Sequence, residues 1–349
     1  MAQQLTIKQI AALAGVSVGT VDRVLHNRGR VSPEAMSAVQ AVLDTQNYKY
    51  NIHSSAIAFK KTKKSFTIII AIPFSKKGEY WDLVKTGIDS AFAEYSDISI
   101  SSRYAFFDQF NSLSCREVFG SIADQDCSAV IIGTTFVDET RELCHKLNIK
   151  GIPYAFVDGK VSDTNPVATY HADQKACGKL LARLMDGLTP AGRKLALMLP
   201  KRTGTQMSNN STIRLEHFRA YFQETRKERE ILESHFSTED PALTRKEMAE
   251  LLDGNPGIGG IAVVISNAYL IAEALPAGGK KDIRIGGFDI TAGNARCVRE
   301  GRIDFLINQH PERQGFLAVE STLHFLLYGI PDKSLGELIP IDIKFLENL

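Results

Sequence analysis

From Phe66 onward the chain alternates short apolar runs with amphipathic segments, and the alternation runs twice. FTIIIAIP (66–73) is almost continuously apolar, as a parallel strand buried on both faces must be. A helical pattern from Tyr80 to about Tyr95 follows it. Further strands are expected at 98–107, 129–133 and 153–158, with helices near 114–124, 137–147 and 174–188. Pro190-Ala191-Gly192 interrupts this rhythm, which restarts at LALML (195–199). Helices at 212–226, 241–252, 268–275, 291–300 and 310–327 then alternate with strands at 231–236, 261–266, 283–289 and 305–308. LIPIDIKF (338–345) reads as a closing strand. A βα rhythm that runs twice implies an α/β body of two lobes, each a doubly wound parallel sheet. The division expected is an N-lobe of 66–189 plus 310–328 and a C-lobe of 192–308 plus 338–349. The chain would then cross between them near 189–192, 308–310 and 328–339.

Residues 5–32, LTIKQIAALAGVSVGTVDRVLHNRGRVS, have a different character. Ile7, Ile10 and Ala11 share one face of a short helix, and Gly15 ends it where a turn needs positive φ. Val16 plugs the turn, Ser17 suits the N-cap of a second helix, and Val21 and Val24 bury that helix's inner face. Its outer face presents Val18, Gly19, Thr20 and Arg23, a set able to touch base edges and phosphates. This spacing fits an all-α helix-turn-helix that enters a DNA major groove.

Charge follows the same division. Residues 1–64 hold nine Lys/Arg against three Asp/Glu, a net +6, while the other 285 residues hold 32 against 37, a net −5. The overall +1 hides a basic head suited to phosphate electrostatics on a mildly acidic body that is not. A head of about 60 residues leaves a body long enough for two cores. No apolar run reaches the roughly 18 residues of a membrane span. MAQQLTIKQI lacks a charged stretch leading into an apolar one, so a cytoplasmic, nucleoid-associated protein is expected. The five cysteines are scattered without a Cys-x-x-Cys pair and read as reduced thiols.

In open α/β sheets ligands sit beyond the carboxyl ends of strands. Those ends carry Phe74, Glu79, Tyr80 and Trp81, then Asp108, Thr134–Phe136 and Asp158 in the first series. The second series adds Arg214, Phe236, Asn267, Asp289 and Gln309. Carboxylates and amides suit paired hydroxyls, an arginine donates to oxygens, and aromatic faces cover C–H surfaces. Each residue also has a plainer role open to it. Arg214 could pair with Glu216 or cap a helix, Asp173, Asn267 and Asp289 could be caps, and Tyr80 with Trp81 could be core. Catalytic signatures are missing. There is no G-x-x-x-x-G-K-[ST], no H-E-x-x-H and no G-x-S-x-G, and Gly257–Gly260 precedes a strand where a dinucleotide loop must follow one. No catalytic residue, metal site or cofactor is expected, and the protein is expected not to be an enzyme.

The head resembles the LacI/GalR family of bacterial transcription regulators in TIKQIAALAGVSVGTVDRVL, in VSPEAMSAVQAVLDTQNY as a third helix, and in the basic segment YKYNIHSSAIAFKKTKK. The resemblance implies a DNA-binding domain at 1–50 and a hinge at 51–64 that wedges an apolar side chain into the minor groove, unstacking a base step. Asn51 matches a family asparagine, whereas Tyr50 stands where proline is common. Ile57 falls at the wedge position, with Phe59 as a rival and a plain basic linker as the alternative. The DNA-contacting set expected is Thr6, Ser17, Val18, Gly19, Thr20, Arg23, His26, Arg30, Ser32, Tyr48, Asn51 and Ile57.

The body, 65–349, resembles the type I periplasmic sugar-binding fold that these regulators use as a sensor. Its motifs are YWDLVKTGIDSA, ATYHADQKACGKLLARLM, STIRLEHFRAYF, VVISNAYL, IGGFD and INQHPERQG. His217 stands where a glycine is common, and HADQ replaces an aspartate-asparagine pair. The resemblance implies ligand contacts at Tyr80, Trp81, Asp173, Arg214, Phe236, Asn267, Asp289 and Gln309, with Glu79 and Asp158 matching less closely. It further implies a homodimer on a near-palindromic operator, most simply a repressor, responding to a neutral sugar or polyol in the interlobe cleft. The alternatives are a nucleobase or sugar phosphate effector, or a DNA-binding head fused to a sugar-modifying enzyme.

Overall fold

A computed structural model describes residues 5–25, 31–45, 65–201, 208–275, 282–329, 331 and 338–349. Helices α1 (Ile7–Ala14), α2 (Val18–Leu25) and α3 (Pro33–Thr45) form the head. Thr6 opens α1 with a capping box to Gln9, and Gly15 closes it at φ 65°, its N–H returning to Ala11. Ser17 Oγ accepts the Thr20 N–H at 3.0 Å and starts α2. Ser32 Oγ does the same for Ala35 at 3.2 Å, with Pro33 at the first position of α3. Ile10, Ala11, Val21, Leu25, Val39 and Leu43 make a small separate core. Val24 packs at its edge, half-buried, and Leu25 takes the buried position.

The first sheet is built from β1 (Phe66–Pro73), β2 (Ile100–Phe107), β3 (Ala129–Gly133), β4 (Tyr154–Val157) and β5 (Ala168–Tyr170). Their order is β2-β1-β3-β4-β5, all parallel. Helices α4 (Tyr80–Glu94), α5 (Ser112–Ile122) and α6 (Val137–Lys150) connect the first four strands. Two apolar clusters, one on each face, account for the unbroken Ile-rich run of β1.

The second sheet comprises β6 (Lys194–Pro200), β7 (Ile231–Phe236), β8 (Ile258–Val263), β9 (Arg284–Phe288), β10 (Phe305–Asn308) and β11 (Asp342–Lys344). Helices α7 (Gln174–Leu188), α8 (Asn209–Thr225), α9 (Pro241–Gly254), α10 (Ala268–Ala274) and α11 (Ala292–Arg299) flank it. The order is β11-β10-β9-β8-β6-β7, and β11 runs antiparallel, so this sheet is not purely parallel.

Two expectations need correction. The triplet ATY of β5 is a strand that three residues are too few to announce by periodicity. Helix α7, expected in the N-lobe, packs on α8 and against β8 and β9. Its Cys177, Leu181 and Met185 join Leu195 and Leu197 in one cluster. The chain therefore passes between the sheets at His171–Asp173, and Pro190-Ala191-Gly192 is a helix-to-strand turn inside the second lobe. The chain returns at Gln309–His310, where α12 (Pro311–Tyr328) packs on α4, and passes back again between Ile339 and β11. The crossing segments are tied together. Ile339 N–H donates to His171 O at 2.9 Å, and His310 Nε2 lies 2.9 Å from Asp342 Oδ2. Among the described residues, no helix is long and apolar enough to cross a membrane.

Candidate functional site

Both sheets reverse strand order near their middle, at β1/β3 in the first and at β6/β8 in the second. A crevice opens beyond the strand ends at such a switch point, because neighbouring connections depart to opposite faces. The two crevices face each other. The first lobe contributes Ser75, Glu79, Tyr80 and Trp81 after β1 and Thr135 after β3. The second contributes Ser208, Asn210 and Arg214 after β6, and Ile265, Ser266 and Asn267 after β8. Asp158, Gln109, Phe110, Ser211 and Gln309 complete the lining.

Arg214, only 4% exposed, organises the floor. Its Nε donates to Gln174 Oε1 at 2.7 Å, Nη1 to Val264 O at 2.8 Å and Nη2 to Gln309 Oε1 at 2.6 Å. Its guanidinium lies 4.0 Å from the centre of the Phe288 ring. A guanidinium has five N–H donors. Three are engaged by described residues, and Arg214 also lines the chamber. The glutamine orientations are fixed, since Gln174 Nε2 donates to Gln309 Oε1 and Gln309 Nε2 donates to Asp289 Oδ2.

Two carboxyls balance this cation, Asp289 fully buried and Asp158 half-buried at the cleft wall. Burial pushes Asp289 up to about 6, against the opposing hydrogen bonds from Ser266 and Gln309 and the charge of Arg214. Burial likewise raises Asp158, and the Tyr80 hydroxyl, donating to it at 2.6 Å, resists that shift. Burial and then the Asp158 charge keep that hydroxyl protonated. Both aspartates sit in left-handed backbone, at φ 76° for Asp158 and 61° for Asp289. Strained backbone of this kind concentrates where side chains must be aimed.

The lobes touch on both sides of the cleft. Ala292 N–H donates to Gly78 O at 2.9 Å, and Tyr269 OH donates to Glu79 Oε1 at 3.0 Å. Asn209 N–H reaches Thr135 O at 3.1 Å, and Asn210 Nδ2 reaches Asp158 O at 2.8 Å. Two buried atoms in the lining, Thr135 Oγ1 and Asn210 Oδ1, have no partner among the described residues.

Of the ten ligand residues expected from sequence, Glu79, Tyr80, Trp81, Asp158, Arg214, Asn267 and Gln309 line the cleft. Three do not. Asp173 is exposed and caps α7 through its carboxylate, and its neighbour Gln174 turns inward instead. Phe236 is fully buried in the apolar core of the second lobe, because the end of β7 turns under α9. Asp289 stands one layer back, fully buried, and orients Gln309 rather than facing the cavity. Arg214 neither pairs with Glu216 nor caps a helix, and Asn267 occupies a cap position without a side-chain cap bond. Gln174, Asn210, Ser266 and Gln109 were not anticipated. The docking of α7 on α8 decides the first, and the earlier start of α8 hid the second.

In the head, Val18, Gly19 and Arg23 face outward, while Thr20 is half-buried and bonded to Ser17. Arg23 folds back, its Nε donating to Gly19 O at 3.0 Å. Thr6, Ser17 and Ser32 all cap helices, so their hydroxyls sit at positive helix ends suited to phosphates. His26, Arg30, Tyr48, Asn51 and Ile57, and the hinge, lie outside the described residues.

Residues 68–328 match the family described as periplasmic binding protein domain, and residues 6–51 match the bacterial regulatory proteins of the lacI family. The chain is 35% identical over 81 residues to the HTH-type transcriptional regulator DegA of Bacillus subtilis, covering 23% of each chain. It is 26% identical over 146 residues to catabolite control protein A of Staphylococcus xylosus, covering 42% of each. The match thus spans less than half the length of these curated relatives. A solved structure described as a LacI transcriptional regulator from Bacteroides fragilis superposes with TM-score 0.77 at 27% identity, covering 82% of this chain and 98% of that one. The chain belongs to the family built on the periplasmic binding protein domain, and its head is that of the lacI family of bacterial regulatory proteins.

Proposed function

We propose that the protein is a cytoplasmic, dimeric transcription regulator, acting as a repressor, whose body senses a neutral sugar or polyol between its lobes. The observation that carries the ligand class is the mixture of hydrogen-bond donors and acceptors lining one chamber. Arg214 lines it together with the Glu79 and Asp158 carboxyls, the Asn267 and Gln309 amides and the Ser75, Tyr80 and Ser266 hydroxyls. Hydroxyl groups both donate and accept, so a polyol meets all of them. A phosphate would meet one cation and two carboxyls. A bound ligand bridges the lobes and favours closure, and closure moves the segments leading to the head. Calorimetric titration with neutral sugars, polyols, sugar phosphates and nucleobases tests this. Saturable binding by a neutral compound is the expected result, and binding confined to phosphorylated or purine compounds would overturn it.

The head reads operator DNA through the outer face of α2. Arg23→Ala is expected to weaken binding to an operator selected from a random pool by about 1–3 kcal/mol if Arg23 reads a base. Fluorescence anisotropy against matched and scrambled duplexes measures it. Equal affinity of the variant and the parent for the selected site would remove α2 from the recognition surface.

A further inference from the structure

We propose that the mouth of the cleft seats a second sugar ring, so that the effector is an oligosaccharide rather than a single sugar. This rests on the neutral-sugar reading above and extends it. The mouth adjoins the inner chamber and shares Ser75, Glu79, Gln109, Phe110 and Asn267 with it. Beyond those residues the wall changes character. Phe74 is 65% exposed and Phe106 41%, whereas Phe136, Phe236 and Phe288, also at strand ends, are buried.

The two exposed rings form a built platform. They meet edge to face, with centroids 6.1 Å apart at 87°. Phe106 also stacks on Tyr104 at 5.3 Å and 7°. Tyr104 is held in turn by its hydroxyl, which donates to Asp89 at 2.6 Å, and by the Lys85 ammonium 4.8 Å from its ring centre. Exposed phenyl surface of this kind is costly unless something covers it.

Polar side chains complete the lining: Thr238 and Glu239 come from the second lobe, and Lys76, Asp108 and Ser114 from the first. An apolar face with a polar rim suits a pyranose ring. Its C–H face lies on a phenyl ring while its hydroxyls reach carboxylates and hydroxyls. An apolar helix or acyl chain would leave Glu239 and Asp108 facing hydrocarbon. Continuity with the inner chamber makes the occupant a further unit of the same ligand.

Calorimetry with matched pairs decides the matter: glucose with cellobiose and maltose, galactose with lactose, and xylose with xylobiose. The parent protein is compared with the Phe74→Ala/Phe106→Ala double variant, and light scattering follows the oligomeric state of both. Both rings are solvent-exposed, so the variant is expected to keep its fold, which its melting transition checks. At least one disaccharide is expected to bind about tenfold or more tightly than its own monosaccharide. The double variant should lose that advantage while keeping its monosaccharide affinity. A monosaccharide that binds as tightly as its disaccharide, or a variant that weakens both alike, overturns the second subsite and leaves the sugar reading standing. Binding of no neutral carbohydrate overturns both. A change in oligomeric state with unaltered preference for length assigns the phenyl rings to a protein interface and overturns the subsite.

Discussion

Arg214→Met is expected to weaken ligand binding by about two orders of magnitude or more and to destabilise the body more at pH 8 than at pH 5.5. The side chain is buried at the floor of the cleft, and its removal strands the oxygens of Gln174, Gln309 and Val264. It also leaves two carboxyls, half-buried Asp158 and buried Asp289, without the cation that favours their charged forms. Removing one partner from such a buried polar network costs about 3–5 kcal/mol. Loss of the charge-assisted donation to the ligand lowers affinity by about a hundredfold or more. The pH dependence follows from linkage. Asp289 lies at about 6 in the folded protein, above its ordinary value of 3.8. A raised carboxyl favours the folded state below its ordinary value, and that contribution is lost as pH rises through the folded value. Without Arg214 the folded value rises further. Variant and parent then differ least where Asp289 is protonated in both and most where the parent carries the ion. Urea unfolding at the two pH values measures this. A deficit independent of pH would detach Arg214 from the carboxyls, and retained affinity would remove it from the ligand.

That network marks how far the sequence alone reaches. The double βα rhythm, the basic head and the positions of most strands are visible because each is a periodic or compositional signal, and periodicity reports burial directly. Arg214 and Gln309 could be located because they follow strands whose apolar runs are unmistakable. What separates Asp173 from Gln174 is not periodic. One is the cap of α7 and the other its first residue, and only the docking of α7 on α8 decides which side chain turns inward. The same docking moves a chain crossing from Pro190-Ala191-Gly192 to His171–Asp173. A Pro-Gly cluster marks a turn but not which lobe the preceding helix covers. Phe236 failed for a related reason. β7 neighbours β6 at the switch point, yet its last side chain packs under α9 with Met248 and Leu252, a contact that no apolar run announces.

Gly87→Ala is expected to destabilise the N-lobe although alanine is the better helix former. Helices α4 and α12 cross with their backbones in contact. A Cβ on Gly87 would lie 1.8 Å from the Glu312 carbonyl oxygen, and one on Gly315 would lie 2.2 Å from that of Val84. Neither obstacle is a side chain that could rotate away, so the helices must separate. Overpacking of a buried contact costs about 1–3 kcal/mol, against which helix propensity returns at most about 1 kcal/mol. A net loss of about 1–2 kcal/mol is expected, since both obstacles are backbone, seen as a lower urea midpoint at unchanged slope. The displacement reaches the cleft through Gln314, on the first turns of α12. Its Nε2 donates to Gln309 O at 2.9 Å, and its Oε1 accepts the Asp158 N–H at 3.0 Å. Ligand affinity should therefore fall together with stability, although Gly87 lies outside the cleft lining. A variant as stable as the parent would mean that the helices slide without resistance. A destabilised variant with unaltered affinity would mean that Gln314 does not carry the position of α12 to Asp158 and Gln309.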